Sequence, residues 1–166
     1  MDTNQPRILV AYYSFSGNTH LIAEAIAQGL GADLLRVRPK RELPKWAPLT
    51  LFVGGFQALF RRIPDLLPLD RDPATYDLVF IGTPVWASSV TPTIRSLLAS
   101  IDLDAKRVAL FCSCEGVPDK LFAQIGEMLG DSEVLGSKAF IRPLKEPEKS
   151  AVEAVAWARE MTLQVH

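Results

Sequence analysis

Ser14, Ser16 and Thr19 place three hydroxyls within the stretch Tyr13-Ser14-Phe15-Ser16-Gly17-Asn18-Thr19, between an apolar run (7–13) and a segment of helical spacing. Gly17 allows a tight turn with exposed backbone amides, and a helix beginning just after it points its positive end at the same place. Hydroxyls, amides and a helix start together make a cradle for an anion. The stretch has no lysine, and the chain contains neither G-x-x-x-x-G-K-[ST] nor G-x-G-x-x-G. A neutral, hydroxyl-rich nest suits a phosphate monoester held by hydrogen bonds. The plainer reading is a turn followed by an ordinary helix cap, although two or three capping residues would satisfy that need.

Two further stretches carry unusual side chains. In the loop 82–92, Thr83 and Pro84 are expected to stop a strand, and Trp86 then projects over the strand's carboxyl end. A tryptophan there is either packing or a flat face for a planar ligand. The third stretch, Ser113-Cys114-Glu115-Gly116, offers small residues and a glycine whose backbone can approach a ligand closely. Cys112 and Cys114 are read first as packing residues. Two apart on one strand face, they are poorly placed for a mutual disulfide, which points to a reducing compartment.

The elements that must position these stretches follow from periodicity. Continuous apolar runs at 7–13, 76–83 and 107–113 read as strands covered on both faces, with further strands at 33–38 and 132–141. Leu21, Ile22, Ala25, Ile26 and Leu30 follow helical spacing, and further helices are expected at 91–101, 118–130 and from 147. The repeating strand and helix pattern predicts an α/β fold, an open, doubly wound, five-stranded parallel sheet with helices on both faces. In such sheets ligands bind outside the carboxyl ends of the strands, where the strand order reverses. All three stretches follow strands one, three and four.

A length of 166 residues with 48% hydrophobic content suits one domain over 1–166. Residues 39–73 interrupt the pattern with six of the twelve prolines and Gly54-Gly55, and read as an insertion holding a short helix near 50–62. Trp46, Phe52, Phe56 and Phe60, with Arg61 and Arg62, make this helix a packing element, a lid over a ligand pocket, or a subunit interface that would make a dimer. The net charge of −1 excludes a global field for nucleic acid or an anionic membrane. Between Arg36 and Arg71, however, eight basic residues face three acidic ones, a local excess of +5. The polar start of the chain lacks a basic-then-apolar leader pattern, and no apolar stretch reaches the roughly 20 residues of a membrane span, so a cytoplasmic protein is expected. With only His20 and His166 as histidines, no metal site is expected, and His20 reads as a solvated residue of the first helical turn. A C-x5-R phosphatase loop is excluded, because Pro118 and Lys120 stand six residues after Cys112 and Cys114. A receiver domain would need acidic strand ends where this chain has Tyr12, Ser14 and Cys114.

The stretch 13–19 resembles the phosphate-binding loop Y-S-x-[ST]-G-N-T of flavodoxin-like proteins, and "GTPVW" (82–86) is similar to a G-T-P-x-W loop in a subgroup of them. The resemblance implies strand order 2-1-3-4-5 and bound FMN. Ser14, Phe15, Ser16, Gly17, Asn18 and Thr19 would take the phosphate. Thr83, Pro84, Val85, Trp86 and Ala87 would flank the ring and ribityl chain, and Ser113, Cys114, Glu115 and Gly116 would close the other side. No acid–base residue is implied, because the flavin supplies the chemistry. Three roles stay open: an NAD(P)H-dependent quinone or nitro reductase, an electron carrier with a redox partner protein, and a flavin-free module. Carriers of this kind are typically strongly acidic, unlike this chain. They also rotate a peptide beside the ring, often at a glycine, and 83–90 has none, so two-electron chemistry is expected.

Overall fold

The computed structural model describes residues 5–42, 63–118 and 120–165. The expected helix near 50–62, with Trp46, Phe52, Phe56, Phe60, Arg61 and Arg62, lies outside them. The elements are β1 (Ile8–Tyr12), α1 (Asn18–Leu30), β2 (Asp33–Arg36), β3 (Leu78–Trp86), β4 (Ser89–Val90), α2 (Pro92–Ser100), β5 (Arg107–Cys114), α3 (Leu121–Met128), β6 (Glu133–Ile141) and α4 (Pro147–Thr162).

The sheet runs β2-β1-β3-β5-β6 with every neighbouring pair parallel, and β4 folds back antiparallel on the end of β3. Without that two-residue hairpin strand, the order is the expected 2-1-3-4-5. Alternate residues of each strand feed separate cores. Leu9, Val79, Ile81 and Leu110 pack with α2 and α3, while Val10, Phe80 and Phe111 pack with α1 and α4. Trp157 of α4 anchors the second core, meeting Phe80 edge-on at 5.6 Å and an interplanar angle of 78°.

Two boundaries differ from expectation. Thr83 and Pro84 do not stop the third strand, which runs to Trp86. Pairing with β1 ends at Gly82, so beyond it β3 is an edge on that side and tolerates a proline. The strand expected at 33–38 ends at Arg36, although Val37 still donates to the Tyr12 carbonyl at 2.8 Å. Pro39 then bridges Leu66 in antiparallel sense, bringing the start of the insertion beside its later part.

The chain leaves β1 toward β2 on one side and β3 on the other. This reversal puts the loop after β1 beside the ends of β3 and β5.

Candidate functional site

The first loop is shaped by its own polar groups. Tyr13 N donates to the Gly82 carbonyl at 3.1 Å, keeping the chain on the sheet past the end of β1. The buried Ser14 Oγ accepts from Gly17 N at 3.2 Å and closes the turn. Gly17 sits at φ 95° and ψ −15°, a left-handed conformation that glycine adopts without the clash of a Cβ. No side chain caps α1 and no acidic residue stands in its first turn, so its leading amides and positive end face the loop uncompensated. Ser16 Oγ is exposed and accepts from Asn18 Nδ2 at 2.9 Å, which leaves the Ser16 proton to point elsewhere. The nest holds the donors an anion needs without a formal positive charge.

The second stretch leaves β3 through a tight hairpin. Trp86 pairs with Ser89, and between them Ala87 and Ser88 adopt φ 47° and 57°. Two successive left-handed residues are the mark of a type I′ turn, here built without glycine at a cost of about 1–2 kcal/mol per residue. Ser89 Oγ donates to Gln124 Oε1 at 3.1 Å, tying the hairpin to α3. The half-buried Trp86 ring stands edge-on to Tyr13 and Phe15, each with its centroid 5.8 Å away. Thr83 is turned inward, its buried hydroxyl donating to the Pro84 carbonyl at 2.9 Å or meeting Thr91 at 3.2 Å.

The third stretch completes the edge. Ser113 Oγ and Thr19 Oγ1 lie 2.7 Å apart and buried. One of the two hydroxyls donates to the other, so one proton of the pair remains for a ligand. Cys114 is buried with its thiol 3.8 Å from the Phe140 carbonyl. Burial raises the pKa of both free thiols, Cys112 and Cys114, above the ordinary cysteine value and keeps them as packing groups. Glu115 is exposed and paired with Arg142 at 2.6 Å, and Gly116 is exposed with open space where a Cβ would stand.

The three stretches thus meet at one edge of the sheet. The Thr19–Ser113 bond joins the first loop to the third, and the Phe15–Trp86 contact joins it to the second. A fourth loop, between β6 and α4, was not visible in the sequence. Leu144 N donates to Asn18 Oδ1 at 3.3 Å, and Arg142 N donates to the Cys114 carbonyl at 3.0 Å. Neither residue has a type or spacing that marks it; only the return of β6 to the same edge brings them there. His20 stands in the first turn of α1 as expected and is partly solvated, its side chain 40% exposed, but its Nδ1 also lies 2.6 Å from the Tyr12 phenol oxygen.

Beside Trp86, on the insertion side, opens a cavity of about 560 Å³. It does not touch the Ser14–Thr19 loop; its aromatic wall is Tyr13 and Trp86, and its outer rim carries Lys40, Arg41 and Asp65. Burial pushes the Tyr13 phenol up to about 12, with the Glu42 charge adding to the effect, so this hydroxyl stays neutral.

No family model matches the chain. Over 92 residues, 55% of the chain, it is 28% identical to a Cupriavidus metallidurans protein named NAD(P)H dehydrogenase (quinone), of which the match spans 45%. Among solved structures it is similar to a flavoprotein in complex with FMN from Lactobacillus acidophilus, with a TM-score of 0.67, 23% identity, and coverage of 86% of this chain and 99% of that one. It is also similar to a putative flavoprotein from Bacteroides eggerthii, with a TM-score of 0.73, 21% identity and coverage of 94% and 98%. For oxidised flavodoxin 2 from Bacillus cereus the TM-score is 0.60 at 20% identity, covering 95% and 99%. At these identities the likeness is one of fold, and it agrees with the strand order and switch point found here: the chain has the flavodoxin-like fold.

Proposed function

We propose that the chain binds FMN across its three edge loops and uses it as an NAD(P)H-dependent reductase of quinones or nitro compounds. The observation that carries this reading is the junction of a charge-free anion nest with an aromatic wall, through the 2.7 Å Thr19–Ser113 bond and the Phe15–Trp86 contact. The amides of Asn18 and Thr19 and the hydroxyls of Ser16 and Thr19 would hold the phosphate, with Ser14, Phe15 and Gly17 shaping the turn. Pro84, Val85, Trp86 and Ala87, with the Thr83 backbone, would flank the ring and exclude water. Ser113, Cys114, Glu115 and Gly116 would close its other side, where the open space at Gly116 leaves room for a close approach. The bound FMN supplies the redox chemistry, accepting electrons from a nicotinamide donor and passing them on.

Similarity to a protein named as a quinone-linked NAD(P)H dehydrogenase supports the reductase role. The hairpin adds to it. Ala87 and Ser88 already occupy left-handed conformations pinned by β4, so this turn has little freedom to rearrange when electrons arrive singly. The packed thiols fit a reducing compartment, consistent with the cytoplasm, and no helix among the described residues is long and apolar enough to cross a membrane.

Steady-state turnover tests the assignment. The FMN-loaded protein should oxidise many equivalents of NADH or NADPH when a quinone is supplied, and few without it. Reduction that stops after one equivalent, with reoxidation only by a protein partner, would instead make the chain a carrier.

A further inference from the structure

The cavity beside Trp86 offers chemistry that the three loops leave unused. Its volume of about 560 Å³ is that of a small-molecule site. Tyr13 and Trp86 give it a flat apolar wall, and Pro64 also lines it without an N–H to satisfy. The Tyr13 phenol, with Thr93 also lining the cavity, is a neutral polar group on this wall.

The rim is basic. Leu35, Val37 and Pro39 are buried while Arg36, Arg38 and Lys40 are exposed, so the segment leaving β2 carries its cations outward and ends at the cavity. Residues 36–42 hold four basic side chains and one acidic one, Glu42. Lys40 is partly satisfied by Asp65 at 3.5 Å. Arg41, exposed on the rim, makes no ion pair among the described residues. An aromatic wall with a cationic rim selects for a ring that carries a negative group.

We propose that this cavity binds a flat aromatic redox substrate bearing an anionic group, its ring against Tyr13 and Trp86 and its anion on Arg41. The inference rests on the flavin reading only for the redox role, because the binding itself needs no flavin. The anionic group has two possible sources, an acidic substituent on a quinone acceptor or a phosphate of the nicotinamide donor.

The test compares the protein as purified with its R41E variant by equilibrium dialysis, using 1,4-naphthoquinone-2-sulfonate, its unsulfonated parent and NADPH. In low salt, R41E should weaken binding of at least one of the two anionic ligands about fivefold or more while the neutral parent changes less than about twofold. The wild-type preference should shrink as salt is raised. Loss confined to the sulfonate assigns the site to the acceptor, and loss confined to NADPH assigns it to the donor. Equal effects on charged and neutral ligands, or no effect on any of them, overturn the proposal. Failure of the flavin reading alone looks different: no flavin binds and no turnover occurs, while the dialysis pattern stands.

Discussion

Gly82→Ala should lower the melting temperature by roughly 6–12 °C, corresponding to about 3 kcal/mol for a chain of this size. Gly82 lies in the middle of β3, paired with Tyr12 on one side and Phe111 on the other. The Phe111 ring lies directly over it: a Cβ at residue 82 would stand 2.1 Å from Phe111 Cζ and 2.4 Å from Cε2. Phe111 is fully buried and its ring also contacts Trp157, with centroids 6.5 Å apart, so it cannot give way by swinging into solvent. The glycine that opens "GTPVW" is therefore a packing residue, and the cost of replacing it is overpacking. Thermal unfolding of G82A, F111L and the double variant checks this. Shrinking residue 111 should make the alanine cheaper, so the double variant should be more stable than the sum of the single effects. Strict additivity would contradict a Gly82–Phe111 clash.

The second large effect concerns the cradle. Replacing Ser16 and Thr19 together by alanine removes hydroxyls worth about 1.5–3 kcal/mol each against a charged acceptor. FMN affinity should fall at least about tenfold, while riboflavin, which lacks the phosphate, should bind nearly as before. Ser16 is exposed, so its loss should leave folding intact; Thr19 is buried against Ser113, so T19S, which restores the hydroxyl, serves as the partner variant. Equal losses for FMN and riboflavin would mean that the loop acts on the ring or on the fold rather than on the phosphate.

Much of this architecture was legible from residue patterns, and the exceptions have physical causes. Continuous apolar runs marked β1, β3 and β5 because strands covered on both faces have no polar side to alternate, and Gly29 and Gly31 marked the end of α1 within a residue. Pro84 misled because proline reads as a strand terminator, whereas β3 has already lost its β1 neighbour at that point and tolerates it. The hairpin of β4 was hidden for a related reason: Ala87 and Ser88 hold a turn that normally announces itself with glycine or asparagine.

The candidate site was readable where its residues are local in sequence. Hydroxyls two or three apart around a glycine announce an anion nest wherever they occur, and the strand alternation puts the three loops on one edge. Long-range contacts were not readable. That Thr19 would meet Ser113 and that Leu144 would bond Asn18 depends on how β5 and β6 are aligned against β1 and β3. The cavity rim at Lys40 and Arg41 depends likewise on the Pro39–Leu66 bridge, which joins two parts of an irregular segment with no periodicity to betray it.

The central claim, that the edge loops form an FMN site, is tested most directly by titrating the purified protein, stripped of any carried-over cofactor, with FMN and following flavin and tryptophan fluorescence. Saturation is expected at one FMN per chain, with tryptophan emission quenched and FMN bound at least about a hundredfold more tightly than riboflavin, as two or more charge-assisted hydrogen bonds to the phosphate require. A folded protein that leaves FMN fluorescence unchanged, or that binds riboflavin equally well, would contradict it.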